Sequence, residues 1–316
     1  MIRKDGNRIT IRTGVKVKEL SQVQAAELLG LGYRQAKALR TALAGCTSFS
    51  LMTCQTSPGF KKSSRLETLN NSSNQLQDDG PRAGLQKRYD EMWHGAERKI
   101  RVGDIEIDTL LAEGSPDQRR GLTVIAQPST NVRRHVNAFL DRLRQIEPDQ
   151  HYYAPTEFHI TVLSLFTATE EHERFFAHAG DYKAAVATAL NRTAPLQIEF
   201  VGVTASPAAI MIQGFFDTEA LNEARDALRE ELRLRGLTEG VDGRYRLETA
   251  HMTVARFRAP LRDSQRFLAA LEESRLLPLG MTRVQSVKLV KNDWFMTHRV
   301  LEVVERYALP STHSGT

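Results

Sequence analysis

The chain is poor in cysteine: only Cys46 and Cys54 occur in 316 residues. Two thiols cannot form the disulfide framework of a secreted scaffold, and neither has a histidine partner at zinc-finger spacing. Long hydrophobic runs are absent too. No stretch approaches 18 apolar residues, so no membrane-spanning helix and no membrane partner are expected. The opening residues Met1 to Arg8 lack the apolar centre of a secretory signal. The expectation is a cytoplasmic protein with reduced thiols. There is no Gly-x-x-x-x-Gly-Lys loop and no dinucleotide fingerprint, so no ATP or NAD site and no cofactor are expected. Hydrophobic residues at 41% and charged residues at 26% exclude a disordered or collagen-like chain. The length supports a core without metal or disulfide staples.

What is present is unevenly distributed. Residues 1–66 hold twelve Lys/Arg and three Asp/Glu, a net of +9, whereas residues 67–316 sum to −4. A basic head suits contact with a polyanion such as DNA or RNA. Within residues 1–45 the run LSQVQAAELLGLGYRQAKALRTAL has Ser21 at an N-cap position, Gln24 three residues on, and an apolar stripe of Ala25, Leu28 and Leu29. Gly30 then suits a helix stop, and Arg34, Lys37 and Arg40 lie along one side of a second helix. This predicts a helix-turn-helix or a plain αα-hairpin. The run AAELLGLGYRQAKAL resembles the N-terminal helix-turn-helix of bacterial transposases. Residues 46–83, rich in Ser, Thr, Asn, Gln and Gly, read as a disordered linker.

Regular patterning begins near residue 85. Leu85 to Glu97 fits a short helix, and Ile100 to Leu111 alternates around Gly103 and Asp104 as strands would. Residues 84–118 are thus expected to be a strand-rich preface, and 119–309 the main domain, with a tail at 310–316. In the main domain a strand at 121–127, a helix at 131–146 and a strand at 157–166 are echoed by a strand at 209–216, a helix at 218–235 and a strand at 249–257. Strands and helices mix without strict alternation, which predicts an α+β fold built from a duplicated lobe.

The echo carries chemistry. Each copy contains a His-x-Thr-Val sequence: His159 and Thr161 in the first, His251 and Thr253 in the second. Nine histidines and 25 threonines give an expectation of about 0.7 His-x-Thr pairs by chance. Two copies, each in a strand and each followed by valine, need a common cause. Strand alternation sends each imidazole and its threonine hydroxyl to one face, and two such strands facing each other would bracket a small anion. Two imidazoles titrating near neutrality can remove one proton and deliver another. Which is acid and which is base stays open. The hydroxyls can donate to phosphate oxygens.

The segments FHITVLSLF and AHMTVARF together resemble the paired signatures of the 2H phosphoesterase superfamily, nearest its bacterial 2'-5' RNA ligase and RNA 2',3'-cyclic phosphodiesterase group. The closing run VQSVKLVKNDWFMTHRVLEVVERYAL resembles the end of those proteins. The resemblance covers about residues 119–309. It implies a bilobal α+β fold with a central groove. The implied chemistry is metal-free, on 2',3'-cyclic phosphate RNA ends or small cyclic nucleotides, with 2'-5' ligation as the reverse reaction. His159 and His251 are then catalytic and Thr161 and Thr253 bind phosphate. The alternative is a DNA-binding protein working through its head, with the large domain a non-catalytic RNA- or nucleotide-binding module. The intact His and Thr of both copies argue against it.

Tyr152, Tyr153, Trp294 and Phe295 are candidates to stack on a base, although each also suits an ordinary core or surface position. In a regular strand Arg256 lies on the face opposite His251 and is expected outside the site. His172 and His178, six apart on an expected helix, have poor metal spacing and read as solvated.

Overall fold

The computed structural model describes residues 2–5, 8–13, 16–21, 80–243 and 245–310. The chain divides into two compact units, residues 1–74 and 75–316.

In the first unit, strands β1 (Ile2–Asp5), β2 (Arg8–Thr13) and β3 (Lys16–Ser21) form an antiparallel sheet in that order. Leu20 and Ser21 close β3, so Ser21 is a strand residue and not a helix N-cap. The rest of the expected helix-turn-helix, and the linker up to residue 79, lie outside the described residues.

The second unit opens with helix α1 (Gly80–Arg101), which begins inside the expected linker and runs through the expected preface. Leu85, Tyr89, Trp93, Ala96 and Ile100 recur at three- and four-residue spacing and are buried. Gly103, at φ 71°, ends the helix. Its N–H donates to the Ile100 carbonyl and that of Asp104 to the Lys99 carbonyl, a Schellman closure. The strands expected at 100–111 do not form. Ile100 belongs to the helical stripe, and residues 104–108 form no strand: Glu106 N–H donates to Pro207 O and Asp108 N–H to Phe257 O. Asp108 then caps the short helix α2 (Thr109–Glu113).

Two antiparallel sheets follow. One has the order β12-β11-β4-β6, from β4 (Arg120–Ala126), β6 (Ile160–Thr169), β11 (Ser286–Asn292) and β12 (Glu302–Ala308). The other has the order β10-β7-β8-β9-β5, from β5 (His151–Tyr152), β7 (Leu196–Ser206), β8 (Ala209–Phe215), β9 (Met252–Arg256) and β10 (Pro278–Val284). The repeated strand-helix-strand echo is real: β4, α3 (Thr130–Ile146) and β6 match β8, α6 (Ala220–Leu234) and β9. The stretch around His172 and His178, expected as one helix, is two, α4 (His172–Phe176) and α5 (Ala179–Leu190). The last helix is α7 (Ser264–Glu273).

The echoed helices are exchanged. Helix α3 packs on β10 and α7 of the other lobe, and α6 packs on β6 and α5. One continuous apolar cluster therefore runs from Leu85 to Leu309 through both lobes. Helix α1 belongs to it. The Tyr89 hydroxyl donates to the Gly214 carbonyl and accepts from the Gly214 N–H in β8. Gly214 is required there, since a Cβ would lie 2.2 Å from the Ala250 carbonyl oxygen. The fold is α+β, bilobal and duplicated, with the cleft described below between the lobes.

Candidate active site

His159 and His251 each stand one residue before their strands, β6 and β9, and Thr161 and Thr253 lie within them. All four line one cleft, open to solvent.

Each imidazole is held from two residues upstream. His159 Nδ1 lies 2.8 Å from the Glu157 carbonyl oxygen. A carbonyl only accepts, so Nδ1 carries the proton and Nε2 is left as the reactive nitrogen of neutral His159. His251 Nδ1 lies 2.7 Å from Thr249 Oγ1. A hydroxyl can donate or accept, so this partner leaves the tautomer free to change. Glu157 also braces the site through its carboxylate, which accepts from the Ala154 and His298 N–H groups. Burial pushes both histidines below their ordinary range. His251 falls to about 4, through burial first and then the positive charges of Arg225, His159 and Arg256. His159 is lowered by burial, against the opposing hydrogen bond to Glu157. Because charge on His159 disfavours charge on His251, the pair carries at most one proton easily.

Arg256 lines the cleft, contrary to the alternation argument. The reason is a register shift. Against β8, Ile210 pairs with Ala255 but Met211 with Thr253, so Val254 is an extra residue. Such a bulge breaks the two-residue period and brings Arg256 to the face of Thr253. The first copy does the same: against β4, Ile125 pairs with Thr161 and Val124 with Leu163, leaving Val162 extra. Ser164 therefore also reaches the cleft. Ser164 and Arg256 occupy equivalent slots, five residues after their histidines.

Tyr153 is buried, and its hydroxyl accepts from Arg256 Nε at 2.9 Å, so it aims a cation instead of stacking on a base. Tyr152 is turned away and donates to the Glu147 carbonyl. Trp294 and Phe295 line the cleft. Trp294 is backed by Arg119, whose guanidinium carbon lies 5.0 Å from the ring centre and is itself held by Asp117. His172 rests against the Thr169 carbonyl and the Phe176 ring, and His178 pairs with Asp181 at the surface.

Buried Arg225, on α6, ties the two motifs together. It donates from Nε to the Val162 carbonyl at 2.9 Å, and from Nη2 to the carbonyls of Thr161 at 3.1 Å and Thr249 at 2.7 Å. Composition and spacing carried no sign of it, because its role depends on the helix exchange. Thr249 did leave a sign: Thr249, His251 and Thr253 continue one period of two.

The family model of the 2'-5' RNA ligase superfamily matches residues 132–293. No curated protein matches the chain. Among solved structures the chain is similar to TT0787 of Thermus thermophilus, at 19% identity over 62% of this chain and 100% of that one, with a TM-score of 0.45. It is also similar to Escherichia coli LigT solved with 3'-AMP, at 14% identity, 62% and 100% coverage and a TM-score of 0.41. A third is ATU0111 of Agrobacterium tumefaciens, a conserved protein of unknown function, at 15% identity, 61% and 88% coverage and a TM-score of 0.45.

Proposed function

This chain belongs to the 2'-5' RNA ligase superfamily and is a phosphoesterase of the 2H type, and we propose that it opens 2',3'-cyclic phosphates at RNA ends or on small nucleotides, with 2'-5' joining as the reverse reaction. The observation that carries this reading is the meeting of both His-x-Thr pairs in one cleft, with each imidazole held through Nδ1. One neutral Nε2 takes the proton of the attacking water as the oxygen bonds to phosphorus. The other imidazole, protonated, gives its proton to the ribose oxygen that leaves. At the end of a turnover the two have exchanged protonation states, and a proton passed through solvent resets them. Thr161 and Thr253 donate to the non-bridging oxygens. Arg256, with Nε spent on Tyr153, offers its remaining N–H groups to the same charge, where they act with most effect in a desolvated cleft. No step needs a metal or an external cofactor.

The test is hydrolysis of a 2',3'-cyclic nucleotide by the full chain in EDTA. Turnover is expected to survive chelation; no turnover with or without metal would sink the reading.

The histidine shifts predict a particular pH dependence. Both groups sit below 6.5 in the free protein, so the protonated acid becomes scarce as pH rises. The kcat/KM profile, which reports the free enzyme, should peak below pH 6.5 and fall toward neutrality. An anionic phosphate between the imidazoles favours the charged form, so the alkaline limb of kcat should lie at higher pH. Coincident profiles centred above pH 7 would contradict this.

Arg256→Ala should lower kcat/KM by about 10- to 150-fold, from hydrogen bonds to a charged group worth about 1.5–3 kcal/mol. Arg256→Lys should recover only part, because an ammonium cannot bond Tyr153 and phosphate as a fork does. An alanine variant with unchanged kcat/KM would remove Arg256 from the site.

A further inference from the structure

The sheet face that carries Thr161 does not end at the cleft. Antiparallel partners directly opposite each other share a face. Thr161 pairs with Ile125 on β4, Ile125 with Lys288 on β11, and Lys288 with Arg306 on β12. These four side chains form one row across the sheet. At about 4.8 Å per strand, Lys288 lies about 10 Å from Thr161 and Arg306 about 14 Å. Between the ends of the row, Ile125, Val290 and Met296 form a small apolar cluster apart from the main core, and Met296 also lines the cleft.

The far end of this row is a place where positive charge has been gathered against its own electrostatics. Lys288 and Arg306 are like charges in directly opposed positions, which is destabilising. Arg133 adds a third cation close enough to influence Lys288. It lies in the first turns of α3, where the helix dipole is already positive and the first turn holds no acidic residue. Among the described residues none of the three has a carboxylate partner. Lys288 Nζ donates to Gln127 Oε1 and Arg133 Nη2 to Thr130 Oγ1, both neutral, and Arg133 Nε is buried with no partner. An anion would relieve all of these penalties together.

We propose that Lys288, Arg306 and Arg133 form a second phosphate site, which holds an internal backbone phosphate of an RNA strand whose end occupies the cleft. The strand would cross over the buried apolar cluster that separates this site from the cleft. The inference rests on the proposed reading of the cleft and deepens it: the substrate is an oligoribonucleotide, and a mononucleotide fills only half of the track.

The experiment compares the full wild-type chain with the Lys288→Gln/Arg306→Gln double variant and with Arg133→Gln. Two substrates are used, a 2',3'-cyclic mononucleotide and a short oligoribonucleotide ending in a 2',3'-cyclic phosphate. For the oligonucleotide, kcat/KM should fall about ten-fold or more in the double variant, with a smaller loss in Arg133→Gln. For the mononucleotide it should not change. The salt dependence of oligonucleotide binding should become shallower by about 1.4 in log–log slope, because two cations no longer displace counterions from a single strand. Equal losses on both substrates, or no loss on either, would overturn the second site. If the wild type turns over neither substrate, the reading of the cleft has failed instead. The affinity of each protein for an unreactive single-stranded oligoribonucleotide then decides the second site: weaker binding by the variants upholds it, and identical binding overturns it.

Discussion

Replacing His159 or His251 by alanine lowers turnover of a 2',3'-cyclic phosphate by about 10²–10⁴-fold, the usual worth of a positioned acid or base. The two losses should be of similar size, because each substitution leaves one proton transfer without an agent. The binding side should suffer less. Thr161, Thr253 and Arg256 still line the cleft in either variant, so KM should move little while kcat collapses. His159→Gln should be nearly as damaging as alanine: an amide can reach the Glu157 carbonyl but cannot take a proton. A histidine variant that keeps full turnover would show that its imidazole only lines the cleft.

Arg225→Met should unfold the protein more readily and disturb the same site without touching substrate. Methionine fills much of the volume but supplies none of the donors now given to the carbonyls of Thr161, Val162 and Thr249. Each buried acceptor left unpaired costs about 1–3 kcal/mol, so several kcal/mol in all, read as a lowered denaturant midpoint. Arg225 is the largest charge acting on His251. Its removal should therefore raise the His251 pKa and carry the acid limb of kcat/KM to higher pH. Arg225→Lys separates the two effects: the charge stays and the limb holds, while the three-way clamp is lost and stability falls. A limb that does not move in Arg225→Met would confine Arg225 to a structural role.

The paired His-x-Thr sequences and the strand-helix-strand echo were legible because both are local patterns repeated twice. The bulges were not. Val162 and Val254 are ordinary strand residues, and nothing in either marks an extra position. The only trace lay in laying one copy on the other, where Ser164 and Arg256 are polar residues at the same off-period slot. The strands expected in the preface rest on Ile105, Ile107 and Thr109, which alternate by accident of position. The stripe from Leu85 to Ile100 is the stronger pattern, and it runs past the point where the strands were expected. The exchange of α3 and α6 between lobes, and with it the role of Arg225, is a matter of tertiary connection that no window of sequence contains. The basic head was legible as composition only; beyond its three strands it lies outside the described residues.

In the proposed mechanism His159 and His251 work as one unit on one phosphate. The most direct measurement is turnover of a 2',3'-cyclic phosphate, in EDTA, by the wild type, each single alanine variant and the His159→Ala/His251→Ala double variant. Groups that act as a unit are non-additive, so the double variant should be about as slow as the slower single one. Losses that multiply, with the double variant slower than either single by the product of both factors, would mean that the two imidazoles act independently and would contradict the shared site.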